Sequence, residues 1–109
     1  MAEALEIHVT MPDAERAASL ARILVGESLA ACVNIVPGVL SIYRWEGRMQ
    51  EEDEVLCLIK TRPANLERVQ RRIVELHPYD VPEILAFSVD EGSPDYLDWL
   101  KAATADPGP

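Results

Sequence analysis

Two stretches, Cys32 to Trp45 and Met49 to Thr61, are dense in Val, Ile, Leu and Tyr, with Glu46-Gly47 between them as a turn signal. They read as one long hairpin, and in a chain of 109 residues its arms are too long to lie flat over one small sheet. Pro37-Gly38 interrupts the first arm, and proline within a strand is tolerated chiefly at an edge or a bulge, so a bend is expected there. With the turn centred on Glu46 and Gly47, Cys32 falls near Thr61 and Cys57 near Val36. The two sulfurs are then about four residues apart along the ribbon, or ~13 Å, too far for a disulfide. Neither cysteine belongs to a CxxC, and both are read as reduced thiols.

Around this hairpin the chain alternates element types. Leu5, Ile7 and Val9 oppose Glu6, His8 and Thr10 with period two, a strand ending at Thr10. Thr10-Met11-Pro12-Asp13 then supplies a helix start, with the Thr10 hydroxyl as cap, and the helix is predicted to run to about Ser28. Its inner stripe is predicted as Ala14, Ala17, Ala18, Ala21 and Val25 with Leu20 and Leu24. Pro63 opens a second helix with Leu66, Val69, Ile73 and Leu76 inward, and His77-Pro78 closes it. Glu83 to Val89 reads as the last strand and Asp95 to Leu100 as a short helix carrying Tyr96 and Trp99. The expected organisation is one domain over residues 1–109, its core at 5–101 and a flexible tail at 102–109.

The order strand, helix, strand, strand, helix, strand is the split βαβ pattern of the α+β ferredoxin-like fold, here with a short C-terminal helix added. That fold sets both main helices on one sheet face. Val55-Leu56-Cys57-Leu58-Ile59 and Ile84-Leu85-Ala86-Phe87 are nevertheless apolar at consecutive positions, so both faces need cover. Other copies of the same chain are the economical cover, which makes the chain an expected homo-oligomer.

Composition narrows the function classes. Ten Lys and Arg against 19 Asp and Glu give a net charge of −9, the wrong sign for neutralising phosphates, so no nucleic acid partner is expected. The longest uninterrupted apolar runs, Leu29 to Val33 and Val55 to Ile59, fall far short of the ~20 residues that span a bilayer. The first ten residues carry Glu3 and Glu6 and lack the basic start and apolar run of a secretory signal, so a cytoplasmic location is expected. No GxG, Walker sequence, GxSxG or HExxH occurs, and no enzymatic activity is expected.

Soft-metal ligands are few: His8, Cys32, Cys57 and His77, none at ligand spacing from another. A closed zinc site within one subunit needs four ligands arriving in close pairs, so a metal would be shared between subunits or completed by carboxylates. Cys57 reads as core, whereas Cys32, after a helix-to-strand connection, is the candidate metal-reactive thiol. The segment His77-Pro78-Tyr79-Asp80-Val81-Pro82-Glu83 gathers an imidazole, a phenol and two carboxylates between two stiffening prolines. His77 is the candidate metal ligand there, and its structural alternative is to satisfy the last carbonyls of the helix. On the hairpin, Tyr43, Arg44 and Trp45 flank the tip, while Glu51, Glu52, Asp53 and Glu54 read as a solvated edge. Lys60 either pairs with one of these acids or points into a cleft.

Several strings together resemble a known family. Leu29-Ala30-Ala31-Cys32-Val33-Asn34, Ser41-Ile42-Tyr43-Arg44-Trp45-Glu46-Gly47, Ile59-Lys60-Thr61, His77-Pro78-Tyr79 through Pro82-Glu83, and Tyr96-Leu97-Asp98-Trp99-Leu100 resemble the CutA divalent-cation tolerance family over about residues 5 to 101. The resemblance implies a ferredoxin-like subunit in a PII-like homotrimer joined through the long hairpin. It also implies an intracellular role in divalent metal tolerance, with copper or another divalent cation as the bound species. Members with a proposed copper site carry a cysteine before the Thr-x-Pro-Asp turn and two histidines before Pro-Tyr; those positions hold Val9, Leu76 and His77, so His77 alone carries over. The alternative is a small-molecule sensor or scaffold using inter-subunit clefts near Tyr43, Trp45, Lys60, His77, Tyr79 and Glu83, as PII-like trimers use theirs.

Overall fold

The computed structural model describes residues 2–105. Four strands, β1 (Ala4–Met11), β2 (Cys32–Trp45), β3 (Arg48–Thr61) and β4 (Leu85–Val89), form one sheet in the order β2-β3-β1-β4. Helices α1 (Ala14–Gly26) and α2 (Leu66–Leu76) join them in the split βαβ manner, and α3 (Pro94–Ala103) follows. All strand pairs are antiparallel, and the architecture is the ferredoxin-like one that the element order predicts.

The hairpin is closed by the two residues Glu46 and Gly47, with φ of 50° and 77°, the left-handed pair of a type I′ turn matching the twist of its strands. Glutamate is a poor occupant of the first position, since a left-handed backbone crowds its Cβ. Glu46→Asn is expected to raise stability by roughly 0.5 kcal/mol, read as a higher urea midpoint at unchanged slope.

In β2 the ladder slips between Val36 and Val39, so Pro37-Gly38 forms a bulge, with Gly38 at φ 77°. The extra residue shifts the pairing beyond it by one: Cys32 faces Lys60 and Cys57 faces Ile35, not Thr61 and Val36. The cysteines remain separate free thiols.

Other boundaries differ from the sequence reading for local reasons. Thr10 and Met11 still pair with Leu56 and Val55, so β1 continues past its expected end and Asp13 caps α1 instead of Thr10, accepting from the Arg16 amide at 2.8 Å. α1 stops at Gly26 before a left-handed Ser28, and its buried stripe is Ala17, Leu20 and Leu24, while Ala14 and Val25 are exposed. β4 begins at Leu85, two residues later than expected. The folded body extends beyond residue 101. Thr104 is 1% exposed; Arg62 donates to its hydroxyl at 3.1 Å and its carbonyl at 2.7 Å, and Asn65 donates to that carbonyl at 3.2 Å. Of the expected flexible tail, residues 106–109 lie outside the described residues.

The main core lies between the sheet and α1 and α2, where Ile7, Val9, Cys57 and Ile59 meet Ala17, Leu20, Leu24, Val69 and Ile73. The second face carries Glu6, His8, Leu58 and Lys60 and, across the ladder, Leu85 and Phe87. α3 covers one end of it through Ala4, Ala31 and Leu100, and elsewhere Leu85 and Phe87 stay about half exposed. On the overhanging hairpin Leu40 and Ile42 are likewise exposed.

Candidate functional site

Period two along β3 sets up the site. Val55, Cys57 and Ile59 enter the helical core, which turns Glu52 and Glu54 to the opposite face, where their cross-strand partners Ser41 and Val39 also point. The outer part of the hairpin overhangs the sheet, and the segment after α2 comes up against it.

His77 fixes that segment. Its backbone N–H closes α2 on the Ile73 carbonyl at 2.8 Å, its Nε2 donates to the Thr10 carbonyl at 2.8 Å, and its Nδ1 accepts the Tyr79 amide at 3.1 Å. These partners set the tautomer and use both ring nitrogens. The Tyr79 ring packs against the imidazole with centroids 4.7 Å apart, and its hydroxyl donates to Glu54 Oε2 at 2.9 Å. The connector is thereby tied to the hairpin.

Between hairpin and connector lies a cleft of about 760 Å³. Four carboxylates line it: Glu52 and Glu54 on β3, Asp80 and Glu83 on the connector. Tyr43, Trp45 and Tyr79 give it aromatic walls, and no Lys or Arg is among its lining residues. Burial, followed by the hydrogen bond and charge of Glu54, pushes the Tyr79 phenol far above its ordinary range. Burial, with Glu52 and Glu54 nearby, raises Tyr43 in the same direction, so both phenols are neutral donors at physiological pH.

Of the residues expected at a ligand cleft, Tyr43, Trp45, Tyr79 and Glu83 come together, and His77 stands directly behind Tyr79. Lys60 does not join them. It sits six positions along β3 from Glu54, ~20 Å away, bonded to Asn34 and 3.9 Å from Glu6. Cys32 lies opposite Lys60, and Tyr96 of α3, raised first by burial, feels its thiol. Cys32 and His77 are therefore at opposite ends of the sheet. Among the described residues no three of His, Cys, Asp and Glu stand close enough to hold a metal ion. Val9, at the position of a copper-site cysteine, is fully buried in the core.

Glu52, Glu54 and Asp80 are cleft residues that the sequence reading does not single out. Three of the four acids of the run, Glu51, Glu52 and Asp53, are exposed as a solvated edge would be, but Glu54 is 7% exposed and bonded to Tyr79. The signal that separates them is register, since Glu54 shares the alternation of Leu56 and Leu58.

The fold and this site define a ferredoxin-like α+β domain whose long hairpin overhangs an acidic, aromatic-walled cleft. The sequence profile of the CutA1 divalent ion tolerance protein family matches residues 5–103, and the chain belongs to that family. The divalent-cation tolerance protein CutA of Thermus thermophilus is 50% identical over 96 residues, 88% of this chain and 93% of that protein. A solved structure of the divalent cation tolerance protein from Thermus thermophilus superposes with a TM-score of 0.91 at 47% identity, covering 94% of this chain and 99% of that one. CutA1 from Oryza sativa superposes at 0.93 with 42% identity, covering 96% of each chain. The chain spans only 54% of the chloroplastic CutA of Arabidopsis thaliana, to which it is 48% identical over 90% of its own length. Relatives described as chloroplastic and as periplasmic occur, and no helix among the described residues is long and apolar enough to cross a membrane.

Proposed function

We propose that this chain acts in tolerance of divalent cations, copper among them, as a cytoplasmic homotrimer without enzymatic activity that engages cations directly. The observation that carries this reading is the cleft with four carboxylates and no Lys or Arg in its lining, on a chain of net charge −9. One subunit brings too few donors within reach of one ion, so ligation is completed across a subunit boundary. The half-exposed Leu85 and Phe87 and the exposed Leu40 and Ile42 supply the apolar surface for that assembly. His77 becomes a ligand only by releasing Thr10 or Tyr79; as folded, it holds the cleft wall in place.

Sedimentation velocity over a wide concentration range, with calorimetric titration of the metal-stripped protein by Cu(II) and Zn(II), tests this. A trimer is expected throughout, with stoichiometric binding weakened about tenfold, ~1.4 kcal/mol, by Glu54→Gln. A concentration-independent monomer, or a trimer that binds neither metal, overturns it.

The second reading is a PII-like sensor of a small molecule. It is favoured by the cleft volume of about 760 Å³, which far exceeds an ion and lies within the usual size of small-molecule sites.

A further inference from the structure

We infer that the helical layer carries a binding pocket for a small aromatic monocarboxylate, an acid of about benzoate's size that seats its ring between α1 and the end of α2 and its carboxylate against Arg16. The pocket is separate from the acidic cleft. None of its lining residues belongs to the open sheet face or to the hairpin, so assembly through those surfaces leaves it accessible.

The pocket follows from where α2 stops. Arg16, Ser19, Leu20 and Ile23 fall at i, i+3, i+4 and i+7 and form one stripe of α1. α2 ends at Leu76, because His77 precedes Pro78 and takes extended backbone at φ −77° and ψ 137°. The stripe is therefore left facing only Leu76 and Pro78, with a space of about 150 Å³ between them over Met11. Met11 and Leu20, 2% and 3% exposed, make its floor, and Arg16 and Ser19, both exposed, make its mouth. An apolar cavity of about this volume holds a benzene-sized molecule.

The mouth selects the head group. Arg16 is the one charged residue lining the pocket, and no carboxylate lines it. Asp13 does not occupy the guanidinium: its Oδ1 accepts from the Arg16 amide at 2.8 Å, and its Oδ2 stands 3.8 Å from the guanidinium, beyond hydrogen-bond distance. The planar fork is free to meet a carboxylate with two parallel bonds. Ser19, nearly one turn further along α1, adds a hydroxyl at the same mouth. On a chain of net charge −9, a pocket whose only charge is positive favours an anion where the rest of the surface repels one. A ligand this small, held by one ring and one contact to an exposed guanidinium, binds in about the millimolar range.

The test is methyl-detected NMR of the full, metal-free chain with its Met, Leu and Ile methyls labelled, titrated with benzoate and in parallel with benzyl alcohol and acetate. Saturable benzoate shifts at Met11, Leu20, Ile23 and Leu76, half complete at about 1–10 mM, are expected, with benzyl alcohol about fivefold weaker and acetate without effect. Arg16→Gln is expected to weaken benzoate about fivefold, to the level of the alcohol, and Ser19→Leu to abolish the shifts by filling the mouth; both residues are exposed and both replacements are good helix formers, so the fold is kept. Equal binding of benzoate and benzyl alcohol, or benzoate binding untouched by Arg16→Gln, means an apolar hollow that does not recognise an acid and overturns the proposal. Absence of saturable shifts by ~50 mM, or shifts that persist in Ser19→Leu, overturns it as well. Neither Arg16 nor Ser19 lines the acidic cleft, so any of these failures leaves the cation reading standing.

Discussion

Ile59→Ala is expected to cost about 3 kcal/mol and to lower the thermal midpoint by roughly 12–20 °C. Ile59 is fully buried in β3, paired with Ile7 on one side and Val33 on the other, within the cluster that α1 and α2 close. Three carbons removed there leave a void that the surrounding strands cannot collapse to fill, so the cavity adds to the lost transfer free energy. The measurement is calorimetric unfolding at one fixed protein concentration, because the proposed assembly would couple stability to concentration. Leu40→Ala is the control: Leu40 is 58% exposed on the overhang and loses little in the isolated chain. A cost for Leu40→Ala that grows with protein concentration would place the overhang in an interface, whereas a cost below 1 kcal/mol for Ile59→Ala would mean the core repacks around the lost methylenes.

The contrast between these leucine and isoleucine positions shows what the chain makes legible. Period-two alternation identifies β1, and helical spacing of Leu66, Val69, Ile73 and Leu76 identifies α2, because each pattern commits one face to one core. Consecutive apolar residues in β3 and β4 announce a second apolar face, and Leu85 and Phe87 lie on it half exposed. Details set by a competing local group are not legible. Thr10 and Asp13 are both acceptable caps, and the outcome is decided by two more ladder pairs in β1. Thr104 looks like tail because its partners, Arg62 and Asn65, lie some forty residues away in sequence.

The candidate site is legible in the same uneven way. His77-Pro78-Tyr79 stands out in the sequence as a dense polar connector, and the structure shows why the order matters: the imidazole fixes the Tyr79 backbone, and Tyr79 reaches the hairpin. That Tyr79 lands on Glu54 and not on Glu52 is a contact between residues 25 positions apart in the chain, which no local spacing encodes. Lys60 reads in the sequence as the partner of a hairpin acid or as a cleft residue, and it pairs instead with Glu6 on the open sheet face.

Alkaline pH is expected to expose the other large effect. Burial pushes the Cys57 thiol up from its ordinary 9.0 to about 11. The raised value means the folded state keeps a proton that the unfolded chain gives up, so this contribution is complete below pH 9 and is lost as pH rises toward 11. The loss amounts to about 1 kcal/mol between pH 9 and 10 and about 2 kcal/mol by pH 11. Tyr79 has the same sign, raised from 10.0 by burial and Glu54, so its contribution begins to fall only above pH 10 and continues beyond the thiol's range. Tyr43 and Tyr96, also raised chiefly by burial, act in the same direction. Urea unfolding from pH 8 to 11 should therefore show a stability limb with two separable parts. Cys57→Ala lowers stability at every pH through its cavity but flattens the slope between pH 9 and 10, and Tyr79→Phe flattens it above pH 10. An unchanged slope between pH 9 and 10 in Cys57→Ala would show that the thiol is not what the folded chain keeps protonated.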